Sequence, residues 1–173
     1  MKQNSPEFQK EIERLKLAID IVFDNVQYPG YGEFDCDHCA CTCVGTDPEI
    51  SAFREFTDWR SIPDSIIEFN NSALSFFSAR GYQFYLPRFL IYVLEHYDSA
   101  EIVIDSTLYS LDPLGSDLED RDSYLTKYDR LSLEQKTVIF EFLQFIRRYL
   151  VDEFFDEATV ESALEYWRAA ITR

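Results

Sequence analysis

Residues Leu74 to Tyr97, LSFFSARGYQFYLPRFLIYVLEHY, form the most apolar and most aromatic stretch of the chain, and its reading decides the fold. Ser75, Ser78, Arg80, Gln83 and Arg88 interrupt it every few positions. A spanning helix needs about 20 nearly uninterrupted apolar residues, so the stretch reads as the buried centre of a globular domain and no membrane contact is expected. Ser78 is placed to cap a helix, Gly81 weakens its first turn, and Pro87 removes a backbone donor that an unbroken helix would use. One kinked helix and two short helices meeting near Leu86-Pro87 both satisfy these signals. The aromatic run Tyr82, Phe84, Tyr85, Phe89 and Tyr92 is core material first. Buried tyrosine hydroxyls need partners, however, and Arg80 and Arg88 are the nearest cations that can line a small polar pocket there.

The flanking segments read as amphipathic helices able to pack around this centre. Ser5-Pro6-Glu7 offers a cap, a proline at the first helical position and an early acid, after which Phe8, Ile12, Leu15, Ile19, Val22, Phe23 and Val26 recur at steps of three and four. Tyr28-Pro29-Gly30-Tyr31-Gly32 ends that helix. Thr46-Asp47-Pro48-Glu49 opens a second, with Ile50, Phe53, Phe56 and Trp59 along its buried edge. Pro63-Asp64 recaps a short helix bearing Ile66, Ile67 and Phe69, which Asn70-Asn71 closes. Ile102-Val103-Ile104 has the composition of a strand but no partner strand, so Asp105-Ser106 is read as a cap before Leu108 and Leu111. Ser132-Leu133-Glu134-Gln135 is a capping box, and the helix it opens is apolar on two sides, from Val138 to Leu150, which predicts packing against the central stretch. Asp156 caps a last helix with Val160, Ala163, Leu164, Trp167 and Ile171 inward.

Together these signals predict one all-α domain of about six helices over residues 1–173, with a cysteine loop at 33–45 and an acidic loop at 112–130 that holds at most a helical turn from Tyr124 to Tyr128. Forty-six per cent hydrophobic residues, including 15 Phe and 11 Tyr, supply a sizeable core in a chain of 173 residues. Five Gly and six Pro are too few for a turn-rich sandwich or barrel.

Thirty-two acidic residues against 16 basic ones leave a formal charge of −16. Nucleic acid is therefore not an expected partner, because phosphate binding needs a cationic footprint and no basic cluster exceeds Arg147-Arg148. Solubility alone accounts for such acidity; the functional reading is a surface that attracts a basic protein. The run Asp117, Glu119, Asp120 and Asp122 is its candidate partner-binding segment. The opening residues, MKQNSPEFQKEIERL, have no apolar core or cleavage site of a secretory signal, so a cytoplasmic location is expected.

The chemically peculiar segment is Cys36-Asp37-His38-Cys39-Ala40-Cys41-Thr42-Cys43. Cys36 and Cys39 have the spacing that presents two thiolates to a tetrahedral zinc ion, and His38, Cys41 or Cys43 can complete the shell. Four ligands from eight consecutive residues demand a tight wrap, and no second C-x-x-C follows. Free thiols, or a small ring closed from Cys36 to Cys41 or Cys43, stay open beside the zinc site. A nucleophilic thiol activated by His38 or His96 is disfavoured, because neighbouring carboxylates raise a thiol pKa. His96 reads as a cation complementing a helix C-terminus. Dinucleotide, phosphate-loop, zincin and serine-hydrolase signatures are absent.

Trp59, the segment Ala73-Leu74-Ser75-Phe76-Phe77-Ser78, the run Gly81-Tyr82-Gln83-Phe84-Tyr85-Leu86-Pro87-Arg88-Phe89-Leu90, Leu131 with Gln135, and the closing Ala163-Leu164-x-x-Trp167 resemble the pattern of a family of small bacterial proteins known only as a domain of unknown function. The resemblance covers most of the chain from Phe53 onward, and the tyrosine-leucine-proline core is its most specific piece. It implies that the aromatic centre belongs to a shared fold, and it brings no activity, substrate or catalytic residue. The functional expectation is thus a non-enzymatic acidic protein that neutralises or regulates a basic partner, as immunity proteins and inhibitors do. The alternative is a zinc-binding or thiol-dependent enzyme or sensor built on Cys36 to Cys43.

Overall fold

The computed structural model describes residues 5–30, 48–99, 101–113, 118–151 and 157–172. These residues form nine α-helices and two 3-10 turns, and no strand element. The all-α expectation holds.

Helix α1, Pro6–Phe23, starts where the sequence places it: the Ser5 hydroxyl accepts from the Phe8 amide at 3.1 Å, and Phe8, Ile12, Leu15, Ile19 and Phe23 are buried. Gly30, at φ 83°, supplies the left-handed turn after it. The expected second helix is shorter, with α2 at Pro48–Ser51 followed by 3-10 turns at Ala52–Glu55 and Trp59–Ser61. Its apolar edge is nevertheless used, since Ile50, Phe53 and Trp59 are buried. Helices α3, Asp64–Phe69, and α4, Ala73–Phe76, lead into the central element.

That element is one helix, α5, Ala79–Glu95, with Pro87 inside it. Ser78 caps it by accepting from the Gly81 amide at 3.1 Å. Twelve of its residues are buried, from Gly81 and Tyr82 to Val93 and Leu94. Helix α6 runs over Glu101–Tyr109, so Ile102-Val103-Ile104 is already helical and the cap read at Asp105-Ser106 lies within it. Leu118–Asp129 is helix α7, where the sequence suggested a loop with a single turn. Helix α8, Leu133–Tyr149, has both halves of the capping box between Ser132 and Gln135, and α9 spans Glu157–Thr172.

Packing corrects one further expectation. Helix α8 lies mainly against α9 and α1, and α1 lies against α5, so the main packing of α8 is on those two helices, with Gln135 reaching Gln83 of the central helix. Its two apolar sides are accounted for by two different neighbours. Helix α5 also packs against α6 and α7, and α6 meets α9, closing the arrangement into a ring of helices. Aromatic donors finish the join: the Tyr82 hydroxyl donates to the Ser110 carbonyl at 2.9 Å, the Tyr128 hydroxyl donates to the same carbonyl, and Trp167 Nε1 donates to the Leu111 carbonyl at 2.8 Å. Those backbone acceptors just beyond α6 would otherwise be buried without partners.

Candidate functional site

Two short stripes of polar side chains face each other where α3 meets the C-terminal half of α5. Asp64 and Glu68 are four residues apart on α3, and Arg88, Tyr92 and His96 follow the same four-residue step along α5 into its C-cap, so each set shares one helix face. Arg88 is 8% exposed. Its Nε donates to the Ile62 carbonyl at 2.9 Å and its Nη2 donates to Asp64 Oδ1. Its Nη1 has no hydrogen-bond partner and lies 3.8 Å from Glu95 Oε2. His96 Nε2 is 3.0 Å from Asp64 Oδ2, and its ring packs tilted against Tyr92 at 4.4 Å between centroids. The Tyr92 hydroxyl donates to Glu68 Oε1 at 3.0 Å. Burial first, then Glu68 and Asp64, push the Tyr92 pKa up to about 12.

Asp64, Glu95 and His96 bring ligand-type atoms within 4.8 Å of one another. The surrounding charge does not suit a divalent cation. Arg88 already holds Asp64, and Lys16 Nζ holds Glu95 Oε1 at 2.8 Å, a pairing that raises the Lys16 pKa, chiefly through the Glu95 hydrogen bond. A metal would have to displace two cations or accept their repulsion, so the cluster reads as an ion-pair network joining α1, α3 and α5.

Outside this network the surface opens into a groove of about 640 Å³ lined by Glu68, Asn71, Tyr92, His96, Asp98 and Ile102. Phe69, between two lining residues, is 87% exposed, and Ile102 is 67% exposed. Among the described residues neither Glu68 nor Asp98 pairs with a cation. The groove therefore carries two carboxylates that face no cation among the described residues, and one apolar side chain, Ile102, standing in water.

A second cavity, about 560 Å³, is lined by Ser72, Ser75, Asp105, Ser106, Tyr109 and Thr159. Beside it the Ser75 hydroxyl and the Tyr124 hydroxyl are 2.9 Å apart, and buried Lys127 donates to the Leu74 and Ser75 carbonyls at 3.1 and 2.8 Å. Lys127 ties α7 to α4 there.

Cys36, His38, Cys39, Cys41, Cys43 and Asp117 lie outside the described residues. Glu119 and Asp120 fall in the first turn of α7, and Asp122 is exposed on that helix. The groove and these acids are on different elements. Sequence reading singled out Arg88 and His96 but missed Asp64, Glu68 and Asp98 as their neighbours. The four-residue step from Asp64 to Glu68 was the available signal, and nothing local says which stripe it faces.

Residues 44–171 match the model of a family of unknown function (DUF6714), and the chain belongs to that family. No curated protein and no solved structure matches the chain.

Proposed function

We propose that this member of a family of unknown function is a non-enzymatic acidic binding protein that neutralises or regulates a basic partner protein, in the manner of immunity proteins and inhibitors. The observation that carries the reading is how the cations are used. Arg14 is bound to Glu11 and Glu141, Lys16 to Glu95, Arg60 to Asp20 and Asp24, Arg88 to Asp64, Arg147 to Glu161 and Arg148 to Glu7, while Lys127 is buried on backbone carbonyls. Seven of the 16 basic side chains are thus held by the molecule's own acids and carbonyls, and with 32 acids to 16 bases the surplus carboxylates dominate the outward field. Such a field speeds capture of a cationic surface and rejects anionic ones. A bacterial source, which the tyrosine-leucine-proline pattern suggests, suits immunity-type proteins.

The test is capture of partners from the native host by the immobilised protein at low and high salt. Recovery of a defined basic protein whose binding weakens as salt rises supports the reading. Salt-insensitive binding, or none, counts against it.

The Cys36-x-x-Cys39 spacing favours a second reading, a zinc or thiol site in the segment from Cys36 to Cys43 that also includes His38. Metal analysis of protein purified without added metal, beside a Cys36→Ser/Cys39→Ser variant, decides it. Near-stoichiometric zinc that the variant loses supports a structural or sensing site; zinc at trace level in both removes it.

A further inference from the structure

The cavity of about 560 Å³ between α4, α6 and α9 is lined chiefly by hydroxyl groups. Ser72, Ser75, Ser106 and Thr159 contribute four aliphatic hydroxyls, and α6 adds the Asp105 carboxylate and the Tyr109 phenol. Among the described residues no lysine, arginine or histidine lines it. Its volume falls within the range of small-molecule sites, about 300–1,000 Å³. Local structure groups these side chains. Asp105 and Tyr109 are one helical turn apart on α6, and Ser72 and Ser75 bracket the start of α4. Ser72 is the N-cap residue of α4, yet its hydroxyl makes no cap bond there.

Hydroxyls and carboxylates can hold a protein partner and a ligand at the same time. A hydroxyl has one hydrogen to donate and two lone pairs to accept with, and a carboxylate has about four acceptor sites. Ser75 illustrates this: its hydroxyl is 2.9 Å from the Tyr124 hydroxyl, a bond that uses one hydrogen of the pair and leaves the other to be donated. The same residue is held in place from the protein side, because Lys127 Nζ donates to its carbonyl at 2.8 Å. Tyr109 is 42% exposed and meets the Tyr124 ring edge-on, at 6.1 Å and 80°. One polar wall and one aromatic wall are therefore set before any ligand arrives, which lowers the entropy cost of binding.

The lining selects by chemistry. An anion would face Asp105 with no cationic side chain on the described walls to receive it. An ammonium group only donates, so it would suit Asp105 but leave the hydroxyl hydrogens of the lining without ligand acceptors. A neutral molecule with several adjacent hydroxyls donates and accepts at each position, matching the lining group by group. Its C–H face would rest on the exposed Tyr109 ring.

We propose that this cavity binds a small neutral polyhydroxylated molecule of monosaccharide size, with adjacent hydroxyls donating to Asp105, further hydroxyls exchanging hydrogen bonds with Ser75 and Ser106, and the C–H face against Tyr109. The proposal goes beyond the basic-partner reading and does not depend on it.

The full chain is tested with D-glucose, D-ribose and myo-inositol as neutral probes, D-glucosamine and D-gluconate as charged ones, and cyclohexanol as the apolar one. Binding is followed by saturation-transfer NMR, and the contacted residues by amide chemical-shift changes. The expected result is saturable binding of at least one neutral polyol at about millimolar Kd, the range that suits so small a ligand, with shifts centred on Ser75, Asp105 and Tyr109. Asp105→Ala and Tyr109→Ala should each weaken it by about tenfold or more, and Asp98→Asn, on the other groove, should leave it unchanged. Asp105 and Tyr109 are exposed, so unchanged thermal midpoints verify that the variants are folded.

Absence of saturable binding by all three neutral probes overturns the proposal. Tighter binding of glucosamine than of glucose, lost in Asp105→Asn, makes the cavity a cation site and rejects the polyol. Cyclohexanol bound as tightly as inositol shows apolar filling alone and rejects it too, as does polyol binding that survives both Asp105→Ala and Tyr109→Ala. Each of these results leaves the capture of a basic host protein untouched, and failure of that capture leaves polyol binding untouched, so the two readings fail separately.

Discussion

Gln135 holds three helices at one point, which gives a single side chain unusual leverage. It is 3% exposed; its Oε1 accepts from the Ser132 amide at 3.0 Å and from Gln83 Nε2 at 2.9 Å, and its Nε2 donates to the Val22 carbonyl at 3.2 Å. Gln135→Ala removes half the capping box of α8, leaves the Gln83 amide with the Arg130 carbonyl alone, and takes the donor from the Val22 carbonyl at the end of α1. A loss of about 1–3 kcal/mol in equilibrium denaturation is expected. Gln135→Glu should not rescue it at neutral pH, because a carboxylate would face the Val22 carbonyl without a proton to donate. Arg88 makes a parallel case. Its Nε and Nη2 reach two acceptors in different directions, the Ile62 carbonyl and Asp64, and a lysine ammonium at the end of a flexible stem cannot hold both in that geometry. Arg88→Lys should therefore cost about 1–3 kcal/mol by the same measurement, whereas Glu68→Gln, exposed and still able to accept from Tyr92, should cost far less.

At the scale of elements, the helices that were legible in the sequence are those whose caps and apolar steps agree. Ser5 with Phe8 to Phe23, Ser78 before the central stretch, and Ser132 with Gln135 each start a helix within a residue of where they were read. Helix α7 was hidden because its first half is a charge run and its anchors are unusual: Tyr124 and Tyr128 turn inward, and Lys127, a residue type ordinarily assigned to solvent, is 2% exposed on the carbonyls of α4. The start of helix α6 was read four residues late because Ile102-Val103-Ile104 is β-branched, a local preference that burial of Val103 and Ile104 overrides. The charged groove was illegible for a topological reason, since Asp64 and Glu68 meet Arg88, Tyr92 and His96 only through the packing of α3 on α5. Within α5 the decisive contrast is between Leu90 and Pro87. Leu90 is fully buried, so Leu90→Ala should cost about 2–5 kcal/mol, a large part of the stability of a domain this size. Pro87→Ala should cost far less, because alanine fits the helical backbone that Pro87 already occupies and restores a donor to the ladder. Denaturation midpoints of the two variants check the pair, and near-neutrality of Leu90→Ala would place the core elsewhere.

The whole molecule closes its ring of helices with tyrosine, and this sets how it should respond to alkali. Tyr82, Tyr85 and Tyr128 are fully buried and donate to backbone carbonyls of Ser110, Phe53 and Phe56 from α5 and α7. Burial pushes the pKa of all three well above the ordinary tyrosine range, and Tyr92 rises to about 12 through burial and Glu68. In the unfolded chain a tyrosine ionises near pH 10. The folded state thus binds these protons more tightly than the unfolded one. Their contribution to stability is complete below about pH 10, shrinks as pH rises beyond it, and is lost for Tyr92 as pH passes about 12. Ionising a buried hydroxyl also removes the donor that satisfies a helix-terminal carbonyl, so proton loss and loss of the ring should be one event. Parallel titration of tyrosinate absorbance and helical circular dichroism checks this. A fraction of the tyrosines should stay protonated above pH 10 and then ionise together with the collapse of the helical signal, more steeply than independent groups would. Tyr82→Phe should shift that transition little in pH but lower stability at neutral pH, because phenylalanine keeps the packing and leaves the Ser110 carbonyl to Tyr128 alone. Smooth ionisation of every tyrosine near pH 10 with the helices intact would mean that these hydroxyls reach solvent and that the ring is held by apolar packing without them.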